Sequence, residues 1–328
     1  KMAEAGLPVI PGSPGVVKDY KEALQWARQL GYPIIIKASA GGGGKGMRIV
    51  RNDQEMEKEF KMAQIEAEKA FKNAELYVEK FFEKIRHIEV QIIADSFGNI
   101  IHLGERECSI QRKHQKLIEE APSPAVDKKL RDKLGQLAIR GAEFIKYENI
   151  GTMEFIMDQN KNVYFMEMNT RIQVEHPVTE AVFGVDLIME QIACAAGEKL
   201  SLNSEKYEPK GHSIECRINA ENPEKNFAPS PGKIINFHVP GGPGIRVDTH
   251  VYTNYIIPPY YDSMIAKLIV TGRNRQEAIM RMERALEEFI IEGVQTTIPF
   301  HKKIIKDPLF RKGKFYTSFV EEFQNRNK

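Results

Sequence analysis

Glu167, Asn169, Arg171, Gln173 and Glu175 fall on alternate positions of the stretch Val163–His176. In extended backbone, successive side chains point to opposite faces. Carboxylate, amide and guanidinium groups would then line one side while Met166, Met168, Ile172 and Val174 face the other. The apolar side implies a strand at least half-buried, where an arginine and two carboxylates need partners or a substrate. Gly151–Met157 reads as the hairpin partner of this strand, with Asp158–Asn162 as the turn. A tight loop at Asn160 and Lys161 sets Glu154 directly across from Glu167. Two carboxylates roughly 5 Å apart repel unless one is protonated or a cation bridges them, and hard oxygen donors suit Mg²⁺ or Mn²⁺. The expected chemistry is that of an anionic, metal-bound substrate.

The elements that must position such a substrate can be read on either side. Ile34–Lys37 is a short β-branched strand that ends in a cation and opens into the glycine-rich run Ala38–Gly46, followed by the strand Met47–Val50. Glycine lets backbone N–H groups approach phosphate oxygens, with Lys37 and Lys45 supplying charge. Neither a P-loop nor a dinucleotide fingerprint fits, because the glycines lead into a strand rather than a helix. The run reads as a hairpin flap over phosphates. Ala74–Phe82 is a strand running into a bend. Ile85–Ala94 alternates so that His87, Glu89 and Gln91 share a side, turns at Asp95–Asn99 and returns at Ile100–Leu103. Glu105–Glu120 is dense in cations and amides. Against an anionic substrate, Gln111, His114 and Lys116 become candidate contacts. Helices are expected over Asp19–Leu30, Asp53–Phe71, Asp127–Phe144, capped at Asp127, and Val185–Ala196.

From Gly211 the texture changes to short strands, His212–Ala220, Gly232–His238 and Met264–Val270, closed by the amphipathic helix Arg275–Phe289. Arg217 alternates with apolar neighbours, as a buried structural cation or as an anion contact.

The 328 residues allow one large or two ordinary domains. Lys plus Arg number 47 against 45 Asp plus Glu, a balance that gives no reason to expect nucleic acid or a membrane surface as partner. Cys108, Cys194 and Cys216 match no metal-ligand or redox spacing and read as reduced thiols of a cytoplasmic protein. No apolar run approaches the ~18 residues of a spanning helix. Lys1–Pro8 looks like the tail of a helix, which implies more chain upstream.

Taken together, the flap after Lys37 and the stretches Glu105–Lys116, Glu167–Glu180 and Gly211–Glu221 resemble biotin carboxylase, an ATP-grasp family of the biotin-dependent carboxylases. The similarity covers essentially the whole chain. It implies an α+β fold with an ATP-grasp lid over residues 1–82, a central antiparallel sheet over 83–200 and a biotin carboxylase C-terminal subdomain over 211–322. Lys37, Gly43, Gly44, the hinge Glu79, Lys80, Phe81 and Phe82, then His87, Gln111 and His114 would hold ATP. Glu154, Glu167 and Asn169 would hold Mg²⁺ or Mn²⁺ on its phosphates. Lys116, Arg171, Gln173 and the Val174 backbone would hold bicarbonate. Glu175 would be the base, with Lys116 and Arg171 beside it in catalysis, and Arg217 with Arg171 would serve the biotin ureido group.

The implied reaction is carboxylation of biotin on a biotin carboxyl carrier protein through carboxyphosphate, the first half-reaction of acetyl-CoA carboxylase or a related enzyme. Carboxyltransferase subunits would be further partners, and a homodimer is compatible. The family also carries an N-terminal domain that this chain is expected to lack, so a fragment binding MgATP without turnover is one alternative. Another ATP-grasp ligase, forming an acyl or carbamoyl phosphate, is a second, disfavoured by the Arg171–Glu175 pattern.

Overall fold

The computed structural model describes residues 1–41, 46–202 and 208–327. Gly43 and Gly44, expected on the phosphates, and Lys45 lie outside the described residues. Helix α1 (Tyr20–Leu30) starts where the Asp19 carboxylate accepts the N–H groups of Lys21 and Glu22. Strands β1 (Ile34–Ala38) and β2 (Met47–Val50) flank the glycine run, and α2 (Asp53–Phe71) and β3 (Leu76–Lys80) follow. The three strands form an antiparallel sheet in the order β2-β1-β3. Met56, Phe60, Ala63 and Ala67 of α2, spaced as the helical period requires, pack with Ile34, Ile36, Leu76 and Val78 into one apolar core.

The second layer is an eight-stranded antiparallel sheet. Its labelled strands are β4 (Arg86–Ala94), β5 (Ile100–Arg112), β6 (Gln115–Ala121), β7 (Asn149–Met157), β8 (Val163–Asn169) and β9 (His212–Asn219). Starting from the strand Ile245–Thr249 and then Met264–Gly272, the order continues β9-β6-β5-β4-β7-β8. Helix α3 (Lys128–Phe144), capped by Asp127, covers one side of β4 and β5 through Leu130, Leu134 and Ala138. C-terminal helices α6 (Arg275–Glu288), α7 (Ile298–Lys306), α8 (Pro308–Arg311) and α9 (Phe319–Arg326) enclose a second large core with Ile214, Cys216, Ile218 and Leu268. No described helix is long and apolar enough to cross a membrane.

Three features depart from the sequence reading. Glu105–Glu120, given no element from sequence, is a hairpin: β5 continues through it and returns as β6, pairing Arg112 with Gln115. The tight turn places Lys113 and His114 at φ 48° and 65° without the Asn-Gly signature such turns favour, so no local signal marked it. Next, the strand through Val163 ends at Asn169 instead of running to His176. Met166 is exposed where the alternation placed it in the core, because the ladder slips there: Phe155 pairs with Phe165, yet Glu154 pairs with Glu167. Asp158 and Asn162 close the loop around Asn160, which shifts the register by one residue from that of an Asn160–Lys161 centre, and the bulge at Met166 restores the Glu154–Glu167 pairing. Last, helix α4 (His176–Phe183) follows directly, with Pro177 in its first turn and Glu175 at its head. Val178 and Val182 seat it on the sheet beside Ala121 and Ile269. Helix α5 (Leu187–Ala195) is capped by Asp186, two residues later than expected for a start at Val185.

Candidate active site

The sheet face under α4 carries the chemistry. Alternation on β9 sends Ile214, Cys216 and Ile218 into the apolar core, which leaves Ser213, Glu215 and Arg217 on the opposite side. On β4 the same rule separates Ile88, Val90 and Ile92 from His87, Glu89 and Gln91.

Lys116 of β6 is the hub. Its ammonium donates to Glu89 Oε2 at 2.6 Å, Glu154 Oε1 at 3.1 Å and Glu175 Oε1 at 2.6 Å. Burial disfavours the ammonium, but the carboxylates of Glu89, Glu175 and Glu154 raise it well above its usual range, so Lys116 stays charged. Burial pushes Glu89 up, and Lys116 and Arg106 outweigh it and bring the carboxyl down to about 2. For Glu154, burial is again opposed, here by His87, Lys116 and the Gln173 amide, which hold it well below the carboxylate range. His87 Nε2 lies 2.9 Å from Glu154 Oε2. Gln173 Nε2 and Asn169 Nδ2 donate to Glu154 Oε1 at 2.7 and 2.9 Å.

Arg217 joins the second half of the chain to this cluster. Its Nε donates to Glu119 Oε1 at 2.6 Å and its Nη2 to Glu175 Oε2 at 2.8 Å. The two possibilities left open for Arg217 thus merge: it is a half-buried cation held by carboxylates and it faces the cluster. Lys267, its register partner, donates to the Val174 carbonyl at 3.0 Å. Arg171 is exposed, with Nη2 3.3 Å from Asn169 Oδ1.

Glu167 registers against Glu154 but is exposed and has no side-chain partner among the described residues. Glu154, Glu167 and Asn169 offer oxygen donors only, a set that fits Mg²⁺ or Mn²⁺. The buried groupings His87, Glu89, Glu154 and Glu89, Cys108, Glu175 lie close enough to share an ion. In both, the Lys116 ammonium already bonds the carboxylates.

On the lid, Lys37 Nζ pairs with Glu79 Oε2 at 2.5 Å. Lys80 is tied to the carbonyls of Gly31 and Tyr32 at 2.7 and 3.1 Å, the Phe81 N–H donates to Pro33, and Phe82 stacks on Tyr164 of β8 with centroids 5.1 Å apart. The hinge thus bridges the two layers. Gln111 is set opposite Lys116, whereas His114 stands exposed at the hairpin tip.

Arg106 was not singled out from sequence. Fully buried, it donates to Glu89, Gln91, Thr152, Thr179 and the Gln173 Oε1, so the Gln173 amide must turn its NH₂ toward Glu154. Glu119, Glu215 and Lys267 were also missed. The available signal was a charge alternating with apolar residues within each strand.

A three-stranded lid sheet joined through its hinge to an antiparallel sheet lined with carboxylates and cations defines an ATP-grasp enzyme. Residues 1–203 match the family described as carbamoyl-phosphate synthase L chain, ATP binding domain, and residues 215–322 match the biotin carboxylase C-terminal domain. A biotin carboxylase of Nostoc is 58% identical over 98% of this chain and 72% of its own length. Biotin carboxylase 1 of Bacillus subtilis is 56% identical over the same shares, 98% and 72%. The Hydrogenobacter thermophilus 2-oxoglutarate carboxylase biotin carboxylase domain dimer, solved with MgADP, ADP and bicarbonate, superposes with TM-score 0.93 at 52% identity, over 99% of this chain and 72% of that one. The chain belongs to the biotin carboxylase family.

Proposed function

We propose that this chain carboxylates biotin with bicarbonate at the expense of ATP, and that the residues assembled on the sheet face under α4 divide the work. The observation that carries the reading is the position of Glu175, held by Lys116 on one oxygen and by Arg217 on the other. A proton acceptor flanked by two cations suits a small anion whose proton must leave before it can attack. Lys116, Arg171, the Gln173 amide and the Val174 backbone would bind bicarbonate. Glu175 takes the bicarbonate proton, and the freed oxygen attacks the γ-phosphorus of ATP, releasing ADP and forming carboxyphosphate. Mg²⁺ or Mn²⁺, held by Glu154, Glu167 and Asn169, supplies neutralisation of phosphate charge when bound.

Carboxyphosphate breaks its C–O bond to give CO₂ and phosphate, and the phosphate takes the biotin N1 proton. Arg217 and Arg171 stabilise the negative oxygen that develops on the ureido group as N1 attacks CO₂. Lys37, Gly43, Gly44, the hinge Glu79 to Phe82, His87, Gln111 and His114 would hold the nucleotide, and the flap would exclude water from a labile intermediate. The MgADP and bicarbonate bound to the Hydrogenobacter relative support nucleotide, Mg²⁺ and bicarbonate as the ligands.

We further divide the chain into a lid (1–82), a central part (83–200) and a C-terminal part (211–322). The partners we propose are a biotin carboxyl carrier protein or domain, carboxyltransferase subunits and a second copy. Relatives include one of the subunits of a Methanothermobacter thermautotrophicus pyruvate carboxylase, which supports a place in a larger carboxylase. All three cysteines are free, two of them buried, which fits a reducing cytoplasm. The test is ADP release by the intact protein with and without bicarbonate and biotin. Turnover that needs bicarbonate and is raised by biotin is expected; hydrolysis indifferent to bicarbonate would overturn the reading.

A further inference from the structure

The face under α4 also carries an acid that the reaction above does not use. Glu215 of β9 is fully buried, and neither of its carboxylate oxygens has a hydrogen-bond partner among the described residues. Its register partner on β6 is Glu119, equally buried, whose Oε1 accepts from Arg217 while its Oε2 is unpartnered. On the other side Glu215 registers with Ile269, an apolar residue packed against Val178 and Val182 of α4.

The cations around this acid are committed elsewhere. Arg217 serves Glu119 and Glu175, Lys267 serves the Val174 carbonyl and Asp248, and Lys116 serves Glu89, Glu154 and Glu175. Glu175 adds a further repulsion. Two ionised carboxylates facing each other in a dry sheet, with three oxygens unpaired, would be strongly destabilising. A single proton resolves the conflict, because an O–H on Glu215 can donate to Glu119 Oε2. Burial and the neighbouring Glu119 charge raise Glu215 well above the carboxylate range, and burial lifts Glu119 to about 7.

We propose that Glu215 is held as a neutral carboxylic acid whose O–H bonds Glu119, and that this bond orients Glu119 so that it fixes the Arg217 guanidinium against Glu175. Glu215 is then a positioning residue for the biotin half of the reaction. The kinetic part rests on the role given to Arg217 above; the protonation part does not.

Infrared spectra of the intact protein near neutral pH separate the two. The neutral acid predicts a carboxylic carbonyl band that shifts in D₂O and vanishes in Glu215→Gln. A spectrum of the parent without that band, or a band that survives in Glu215→Gln, would overturn the proposal. In kinetics, Glu215→Leu removes the donor at similar volume and should lower the biotin-dependent rate by about tenfold, with bicarbonate-dependent ATP hydrolysis without biotin changed by less than about twofold. Glu215→Gln keeps a neutral donor and should recover most of the loss. Equal losses in both rates, unrescued by glutamine and matched by a fall in unfolding temperature, would show a merely structural acid. The band with no biotin-dependent rate in the parent would instead count against the role of Arg217.

Discussion

Lys116 holds apart carboxylates brought in from β4, β7 and the head of α4, and removing its charge leaves them to repel in a nearly dry site. Lys116→Met should lower stability by about 3–5 kcal/mol at neutral pH, read by urea unfolding. The deficit should shrink as pH falls, because protonation of Glu89 and Glu154 relieves the repulsion. Glu175→Gln keeps the shape but not the proton acceptor, and bicarbonate-dependent ADP release should fall by about 10²–10⁴-fold while nucleotide binding measured by calorimetry is retained. Part of this residue set was legible: alternation grouped His87 with Glu89, whereas Gln173 and Glu175 lie beyond the strand's end at Asn169 and reach the face at the head of α4. Arg106 was not, because a buried arginine inside a charge-rich run looks like a solvated one until its acceptors on β4, β7 and α4 are known. The Glu154–Glu167 pairing was reached through a wrong loop centre and a bulge that cancelled it.

At the scale of elements, helices with a clean period and an Asp or Asn cap were read nearly to the residue, α2 and α3 among them. What failed were elements whose signal is tertiary. Helix α4 is short and hides behind an alternating stretch, although Pro177 and the Val178, Val182 spacing were available to mark it. The β5–β6 turn uses Lys113 and His114 in left-handed backbone, a choice only the strands on either side dictate. His114→Val puts a β-branched residue there and should cost about 1–2 kcal/mol, seen as a lower urea midpoint. Because the turn sets the register of Lys116, the same variant should raise the KM for bicarbonate; an unchanged midpoint and KM would mean that the turn relaxes freely.

Over the whole molecule, one sheet crosses the region where composition changes. The change of texture near Gly211 marks the start of the C-terminal part, and β9 within it pairs with β6 through Ile118–Cys216 and Glu119–Glu215, so the sheet is continuous across that boundary. Pairing between strands so far apart in sequence leaves no local trace. That seam brings Arg217 to Glu175, and it is braced nearby by Glu120, which accepts from Arg275 and lies 2.6 Å from His212 Nε2. Burial raises Glu120, but Arg275 and His212 bring its carboxyl down to about 2, from an ordinary value of 4.5. A depressed acid contributes stability above its unfolded value and loses it as pH falls toward the folded one. The seam should therefore weaken between pH 4.5 and about 2, and Glu120→Gln should flatten the pH dependence of the urea midpoint in that window.

The central claim is that bicarbonate itself attacks ATP at the Lys116, Arg171 and Glu175 cluster. If it does, an oxygen of bicarbonate becomes bonded to phosphorus and stays there when carboxyphosphate breaks its C–O bond. Turnover of the intact protein with ¹⁸O-labelled bicarbonate, biotin and MgATP, followed by mass analysis of the released phosphate, reads this directly. Phosphate carrying one oxygen from bicarbonate is the predicted result; phosphate whose new oxygen comes from water would contradict the account.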